Sequence, residues 1–132
     1  MRGFVMGIGC RAACSLDTLL SLFRQMEQRL ETPSGPLRAI ACWAPRQHHA
    51  ALTTFAHTLN VPLEAWSTTA LATYAPDLSH RSASLYERTG LWGIAEAAAL
   101  ASAQVRSAQP PQLWITRCIS STHDATGAIA RY

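Results

Sequence analysis

The chain has 132 residues, of which 48% are hydrophobic and 14% charged, so it suits a single domain over residues 1–132 and excludes a disordered polypeptide. Its net charge of +3 comes from arginines spread along the chain, and the absence of a basic stripe with interleaved aromatic residues argues against nucleic-acid binding. No segment is long and apolar enough for a bilayer, and the four cysteines match no disulfide scaffold, so we expect reduced thiols in the cytoplasm and no membrane partner.

The first predicted element is a β-strand. The apolar run over residues 4–10 contains glycines towards its end, which predicts a buried strand entering a tight turn. A helix follows, because Ser15 is a good N-cap and apolar residues recur after it at helical spacing. The composition of residues 32–36 predicts the loop that ends this segment.

The middle of the chain predicts two more strands and several helices. The strands are expected over residues 37–44 and 62–66, with a helix between them and a brief helix around 69–74. Ser84 to Glu87 has the Ser-x-x-Glu form of a capping box, and Gly90 is placed to end that helix in a left-handed conformation.

An alanine-rich helix is predicted from about Trp92 to Ser107, followed by two strands over residues 113–119 and 126–132. The polar residues 120–124 join these strands, most simply as a hairpin. Helices between the early strands and a closing hairpin indicate an α/β fold. We expect a three-layer α/β/α sandwich with a mixed, about five-stranded sheet and a C-terminal hairpin.

The segment Gly7-Ile8-Gly9-Cys10-Arg11-Ala12 satisfies the Gly-x-Gly-x-x-Gly/Ala form of a dinucleotide-binding loop. A nicotinamide site also needs an acidic residue at the end of the second strand, and Ala41-Cys42-Trp43-Ala44 supplies none. The sequence therefore argues against NAD, and we expect no cofactor. An anion-binding loop with Arg11 beside a helix start remains, and the alternative is a tight turn that only connects strand and helix.

Glu96 stands alone in an apolar helix. An apolar surround suits a carboxyl group to proton transfer, so Glu96 is a candidate catalytic residue. The alternative is that Glu96 binds backbone N–H groups or faces water, which is the usual structural role of a lone carboxylate in a helix. The histidines and cysteines show no metal-ligand spacing, so no metal site is predicted.

Four motifs follow one another along almost the entire chain. They are Gly7-Ile8-Gly9-Cys10-Arg11, Ser82-x-x-Leu85-x-x-x-Thr89-Gly90, Gly93-Ile94-Ala95-Glu96-Ala97-Ala98-Ala99-Leu100 and Ala128-Ile129-Ala130-Arg131. In order and spacing they resemble the signatures of the CobE / CbiG C-terminal family of cobalamin (vitamin B12) biosynthesis. The resemblance implies an α/β/α layered domain, of the stand-alone CobE-like kind rather than full-length CbiG.

The resemblance also implies a role in building the corrin ring, with a precorrin or corrinoid intermediate as ligand and other cobalamin-pathway enzymes as partners. In this family CbiG as a whole opens a lactone on a cobalt-precorrin. Where the family tends to carry a Lys and a Glu after its second strand, this chain has Arg46 and His49. Arg46 keeps the positive charge of the lysine, whereas His49 does not supply the carboxylate of the glutamate.

Precorrins carry many acetate and propionate arms, so a protein that binds them needs separated cations and an apolar, aromatic floor. The predicted ligand-binding residues are Gly7, Gly9, Cys10, Arg11, Arg46, Arg81, Ser82, Gly90, Trp92 and Arg117, with Trp43 as a second aromatic residue. The preferred function is binding or handover of the intermediate. The rival is an enzyme that hydrolyses or rearranges it with Glu96 or His49 as proton-transfer group. A subunit that stabilises a neighbouring methyltransferase is a third class, and it leaves no mark in the sequence.

Overall fold

The computed structural model describes residues 3–30 and 35–132, in which a five-stranded sheet is covered by helices on both faces. The strands are β1 (Phe4–Cys10), β2 (Leu37–Trp43), β3 (Leu63–Trp66), β4 (Gln112–Ile119) and β5 (Ala125–Arg131). The helices are α1 (Leu16–Glu27), α2 (Ala50–Thr58), α3 (Thr68–Ala72), α4 (Ala83–Thr89) and α5 (Ala95–Gln104), with short 3-10 turns at Ala44–Arg46 and Ala75–Asp77. The predicted α/β/α sandwich is confirmed.

The sheet is mixed, with the strand order β3-β2-β1-β5-β4. Strands β1, β2 and β3 are parallel, whereas β5 runs antiparallel to both of its neighbours, β1 and β4. The predicted C-terminal hairpin is present. Its second strand is inserted beside β1, so the first and last strands of the chain are hydrogen-bonded neighbours.

Helices α1 and α2 bury the large apolar side chains against one face of the sheet. Ser15 is the N-cap of α1, as predicted, because its hydroxyl accepts a hydrogen bond from the N–H group of Thr18. Phe23 of α1 and Phe55 of α2 meet edge to face, with their ring centroids 6.3 Å apart. The loop predicted over residues 32–36 falls mainly on 31–34, which lie outside the described residues.

The opposite face of the sheet is covered by α5, whose residues from Ala95 to Ala103 are all buried. Gly7 lies beneath this helix, with Ala41 and Ala128 beside it in β2 and β5. These small residues let the helix backbone approach the sheet, since a Cβ atom on Gly7 would lie 1.9 Å from the carbonyl oxygen of Ala95. Although α5 is largely apolar, no helix in the described ranges is long enough to cross a membrane.

Two predicted helix starts are wrong. The N-cap of α4 is Ser82, whose hydroxyl accepts from the N–H group of Leu85, so Ser84 lies inside the helix and does not begin a capping box. Helix α5 begins at Ala95 rather than Trp92, because the Trp92 carbonyl accepts from the N–H group of Ser82 and closes a loop. Gly90 ends α4 at a φ of 79°, as predicted.

An ion pair joins β3 to the C-terminal end of α5. The guanidinium of Arg106 lies 2.6 Å from one carboxylate oxygen of Glu64, and the hydroxyl of Ser102 donates to the other at 2.6 Å. Burial by itself raises the pKa of Glu64, but the hydrogen bonds from Arg106 and Ser102 and the charge of Arg106 outweigh it. The pKa is therefore lowered from its ordinary value of 4.5.

We expect the protein to lose stability in acid, because the Glu64 carboxylate becomes protonated there. Because the pKa of Glu64 is lower in the folded state than in the unfolded state, its stabilisation is complete at a pH above about 4.5. This stabilisation is lost as the pH falls through the folded-state pKa. Urea unfolding at neutral pH and at about pH 3 measures this loss. The loss should be smaller in Glu64→Gln, and an equal loss in both proteins would contradict the prediction.

Candidate functional site

A cleft of ≈ 200 Å³ opens at the edge of the sheet where β1 and β2 end. One wall comes from the end of β1, the turn after β2 and the turn of the β4–β5 hairpin. The other wall is the segment 80–96, which contains α4 and the start of α5. Open α/β sheets bind ligands at this edge, beyond the carboxyl ends of their parallel strands.

The structure brings most of the predicted site residues together in this cleft. Those that line it are Gly9, Cys10, Arg11, Arg46, Ser82, Trp92, Glu96 and Arg117, together with Trp43. An open α/β sheet presents its strand ends and the following helix starts at one edge, which predicts that the segment from Ser82 to Glu96 lies against the same cleft as Gly9. This prediction is confirmed.

Four predicted residues lie outside the cleft lining, and a structural contact accounts for each. Gly7 packs beneath α5, and Gly90 ends α4. The guanidinium of Arg81 donates to the carbonyl oxygen of Ala75 at 2.9 Å, which holds the chain ahead of α4. His49 binds the backbone that follows β1.

The glycine-rich segment lies within strand β1, so the predicted anion-binding loop at a helix start is wrong. The predicted tight turn follows the strand, where the N–H group of Cys14 donates to the carbonyl oxygen of Arg11 at 3.1 Å. Strand β1 continues through Cys10, and the N–H group of Arg11 still donates to the carbonyl of Asp124 at 2.9 Å. Helix α1 begins only at Leu16. The backbone N–H groups of this segment serve the sheet, so any anion binding here depends on the Arg11 side chain and not on a helix N-terminus.

Four arginines line the cleft. Arg11 follows β1, Arg46 ends the 3-10 turn after β2, Arg88 lies in the last turn of α4, and Arg117 lies in β4. Their guanidinium groups make no hydrogen bond or ion pair with any residue in 3–30 or 35–132, and Nε of Arg117 is buried without a partner. Unpaired cations that converge on one cleft favour a ligand with several negative groups.

Sequence reasoning misses Arg88, as well as His80 and His123, which also line the cleft. A helical interpretation of the motif that begins at Ser82 would have found Arg88. Residues three and four apart share one face of a helix, and Leu85 and Arg88 both face the cleft with Ser82.

One negative group lies at the rim of the cleft, in the hairpin turn. A hydrogen bond from the hydroxyl of Thr122 lowers the pKa of Asp124, helped by a bond from Ser120 and by the charge of Arg11, while burial opposes the shift. Asp124 is therefore ionised at neutral pH. The four arginines still outnumber the two carboxylates that line the cleft, those of Asp124 and Glu96, so the cleft is positive.

Contacts within the protein fix the rings of two tryptophans at the cleft. The rings of Tyr86 and Trp92 are stacked, with centroids 4.3 Å apart and an interplanar angle of 18°. The indole N–H of Trp43 donates to the hydroxyl of Thr68 at 2.9 Å. Since both tryptophan rings have a protein partner, their positions are set before a ligand arrives.

His49 is a structural connection between α2 and the end of β1. Its Nε2 atom lies 3.2 Å from the carbonyl oxygen of Arg11 and 3.0 Å from that of Ala12, so Nε2 carries the donated proton. The other ring nitrogen is buried and has no partner among the described residues. The contact holds the backbone of Arg11, and the ring stays outside the cleft lining.

The Glu96 side chain is 2% exposed, and its carboxylate accepts from four donors. One oxygen accepts from the N–H groups of Ser79 at 2.9 Å and His80 at 3.4 Å. The other accepts from the hydroxyl of Ser79 and from the N–H group of Arg117 at 2.9 Å. With its acceptor positions occupied, the carboxylate is poorly placed to take a proton from a ligand, so the geometry favours the structural alternative.

The cleft offers no activated thiol. Burial raises the pKa of Cys10 to about 11, with Arg46 lowering it and Cys42 and Asp124 raising it further. Burial likewise raises the pKa of Cys42 to about 11. Because the thiolate is the nucleophile, Cys10 is inert at neutral pH. Within the described part of the chain, no group of three His, Cys, Asp or Glu residues is placed to hold a metal ion.

Comparison with known proteins identifies the family. The family described as "Cobalamin synthesis G C-terminus" matches residues 4–130, which is almost the whole chain. A search of curated protein sequences gave no significant match.

Three solved structures share the fold. CobE, a protein from the cobalamin (vitamin B12) biosynthetic pathway, has a TM-score of 0.87 and 28% identity, over 99% of this chain and 94% of CobE. The cobalamin biosynthesis protein ChiG from Agrobacterium tumefaciens strain C58 has a TM-score of 0.66 and 29% identity, over 96% of both chains. A cobalamin biosynthesis protein G homolog from Sulfolobus solfataricus shares the fold at a TM-score of 0.69 and 19% identity, over 98% of this chain and 37% of its own. The chain therefore belongs to the cobalamin synthesis G C-terminus family and is a protein of cobalamin biosynthesis.

Proposed function

We propose that the chain binds a precorrin or corrinoid intermediate in the cleft and holds it for the next enzyme. The observation that carries this proposal is the convergence of four unpaired arginines, Arg11, Arg46, Arg88 and Arg117, beside Trp92. Such intermediates bear acetate and propionate arms around an apolar ring. A guanidinium group binds a carboxylate through two parallel hydrogen bonds, so several arms are held at once.

The size of the cleft supports handover rather than sequestration. Sites that enclose a drug-sized ligand have volumes of roughly 300–1,000 Å³. The cleft has ≈ 200 Å³, so only one edge of a tetrapyrrole fits inside it. The rest of the ring extends past the Tyr86–Trp92 pair into solvent, where another cobalamin-pathway enzyme in the cytoplasm can take it.

The three groups considered above for catalysis are already hydrogen-bonded or held in the protonated form. The oxygens of Glu96 accept four hydrogen bonds, His49 binds two carbonyl oxygens, and burial keeps Cys10 protonated. Among the charged and histidine side chains that line the cleft, those of the four arginines and of His123 make no hydrogen bond with a described residue. This contrast supports binding over turnover.

Two corrinoids with the same ring test the proposal. Cobyrinic acid carries free carboxylate arms, whereas in cobinamide these arms are amides. We expect cobyrinic acid to bind at least about a hundredfold more tightly, since two or more charge-assisted pairs are lost with the amide form. Absorbance titration measures both affinities, and chromatography of the recovered ligand measures turnover. Equal affinities, no binding of either corrinoid, or conversion of the ligand would contradict the proposal.

A further inference from the structure

Strand β4 carries an extra residue where it borders the cleft. Between the pairs Ile115–Ile129 and Cys118–Gly127, β4 has two residues and β5 has one. This arrangement is a β-bulge, and Arg117 is one of its two residues. A bulge interrupts the ladder of hydrogen bonds and changes the direction of the side chains beside it, and bulges are frequent next to binding sites.

Glu96 supplies the hydrogen-bond acceptor that the bulge needs. The N–H group of Arg117 donates to a carboxylate oxygen of Glu96 at 2.9 Å. In the described part of the chain β4 is one of the two edge strands and has β5 as its neighbour, so no further strand offers a carbonyl oxygen on its outer side. A buried N–H group without an acceptor is costly, so the carboxylate stabilises the bulged backbone.

The same carboxylate holds the opposite wall of the cleft. It accepts from the backbone of Ser79 and His80, just ahead of α4. Helix α4, which carries Arg88, has no buried residue, so its position depends on how its two ends are held. The hydrogen bond from the N–H group of Ser82 to the Trp92 carbonyl joins the residue before α4 to the chain that follows this helix.

We infer that Glu96 is a positioning residue, which directs the guanidinium of Arg117 into the cleft without contacting the ligand itself. Without its acceptor the bulge relaxes towards regular pairing, and a shift of one residue turns a side chain to the other face of a sheet. The inference rests on the proposed function only where it concerns the ligand. The geometry of Arg117 is a property of the free protein.

The first test therefore needs no ligand. Glu96→Met keeps the length of the side chain and removes both acceptor oxygens. We expect the backbone N–H of Arg117 to lose its protection from hydrogen exchange and the NMR signal of its Nε–H to shift. Glu64→Met is the matched control, because this carboxylate also binds a hydroxyl and an N–H group but lies outside the cleft.

Glu96→Ala is the second variant if Glu96→Met does not fold, since it also removes both acceptor oxygens and suits an alanine-rich helix. Retained protection of Arg117 in the folded variant would overturn the inference, whether or not a corrinoid binds.

The second test uses cobyrinic acid. We expect Glu96→Met and Arg117→Ala each to weaken binding about ten- to a hundredfold, and the double variant to bind no more weakly than Arg117→Ala alone. Additive losses would show that Glu96 does not act through Arg117. If the wild-type protein does not bind cobyrinic acid, the proposed function fails, while hydrogen exchange still decides the role of Glu96.

Discussion

Replacing Gly7 with alanine is expected to lower the free energy of unfolding by more than about 3 kcal/mol. Overpacking typically costs about 1–3 kcal/mol where side chains can adjust. Here the new Cβ would lie 1.9 Å from the carbonyl oxygen of Ala95 and 2.6 Å from the backbone nitrogen of Ala99. Neither is the end of a flexible side chain, so α5 must move away from the sheet. Urea unfolding of the purified variant measures the loss.

Gly90→Ala is the matched control for this substitution. A Cβ at Gly90 meets nothing within 4 Å, so only the backbone conformation at a φ of +79° is penalised. Left-handed backbone costs a residue with a side chain about 1–2 kcal/mol. Equal losses in the two variants would mean that helix contact is not what requires glycine at position 7.

Removing Arg11 and Arg46 is expected to have the largest effect on ligand affinity. A charge-assisted hydrogen bond to a carboxylate contributes about 1.5–3 kcal/mol, so Arg11→Ala and Arg46→Ala should each weaken binding of cobyrinic acid about ten- to a hundredfold. If the two sites act independently, the double variant should lose roughly a hundredfold or more. The effect should shrink at high salt, because partly exposed ion pairs are screened.

Calorimetric titration at low and high salt measures these losses. Arg24→Ala is the matched control, because it removes the same charge from the exposed face of α1, away from the cleft. Wild-type affinity in both cleft variants would exclude an arginine-driven site. A similar loss in Arg24→Ala would assign the effect to overall charge.

Much of the fold could be predicted from local patterns. The helical spacing after Ser15, the left-handed residue Gly90 and the polar turn over 120–124 are short-range signals, and all three are present in the structure. The position of β5 between β1 and β4 is set by tertiary contacts that no local pattern records. The N-cap of α4 at Ser82 and the start of α5 at Ala95 also differ from the prediction. A hydrogen bond from the N–H group of Ser82 to the carbonyl of Trp92 ties the starts of these two helices together, and no local pattern records it.

The candidate site shows the same limit. A Gly-x-Gly pattern is common to a phosphate-binding turn and to a strand that a helix approaches closely, and only the distant residues Ala95 and Ala99 distinguish the two at Gly7. The geometry of an open α/β sheet, which presents its strand ends and the following helix starts at one edge, placed Ser82 and Glu96 near Gly9 correctly. The contact between Glu96 and Arg117 depends on a bulge, which leaves no mark in the sequence.

The pairing of β1 with β5 has a consequence for synthesis of the protein. A chain on the ribosome that has reached residue 111 holds β1, β2, β3 and all five helices but lacks the hairpin. Contacts between residues far apart in sequence form slowly, because a long loop must close first. The wall made by residues 123–126 and the bulged Arg117 both arrive with the hairpin. The nascent chain therefore lacks this part of the cleft until translation has passed β5.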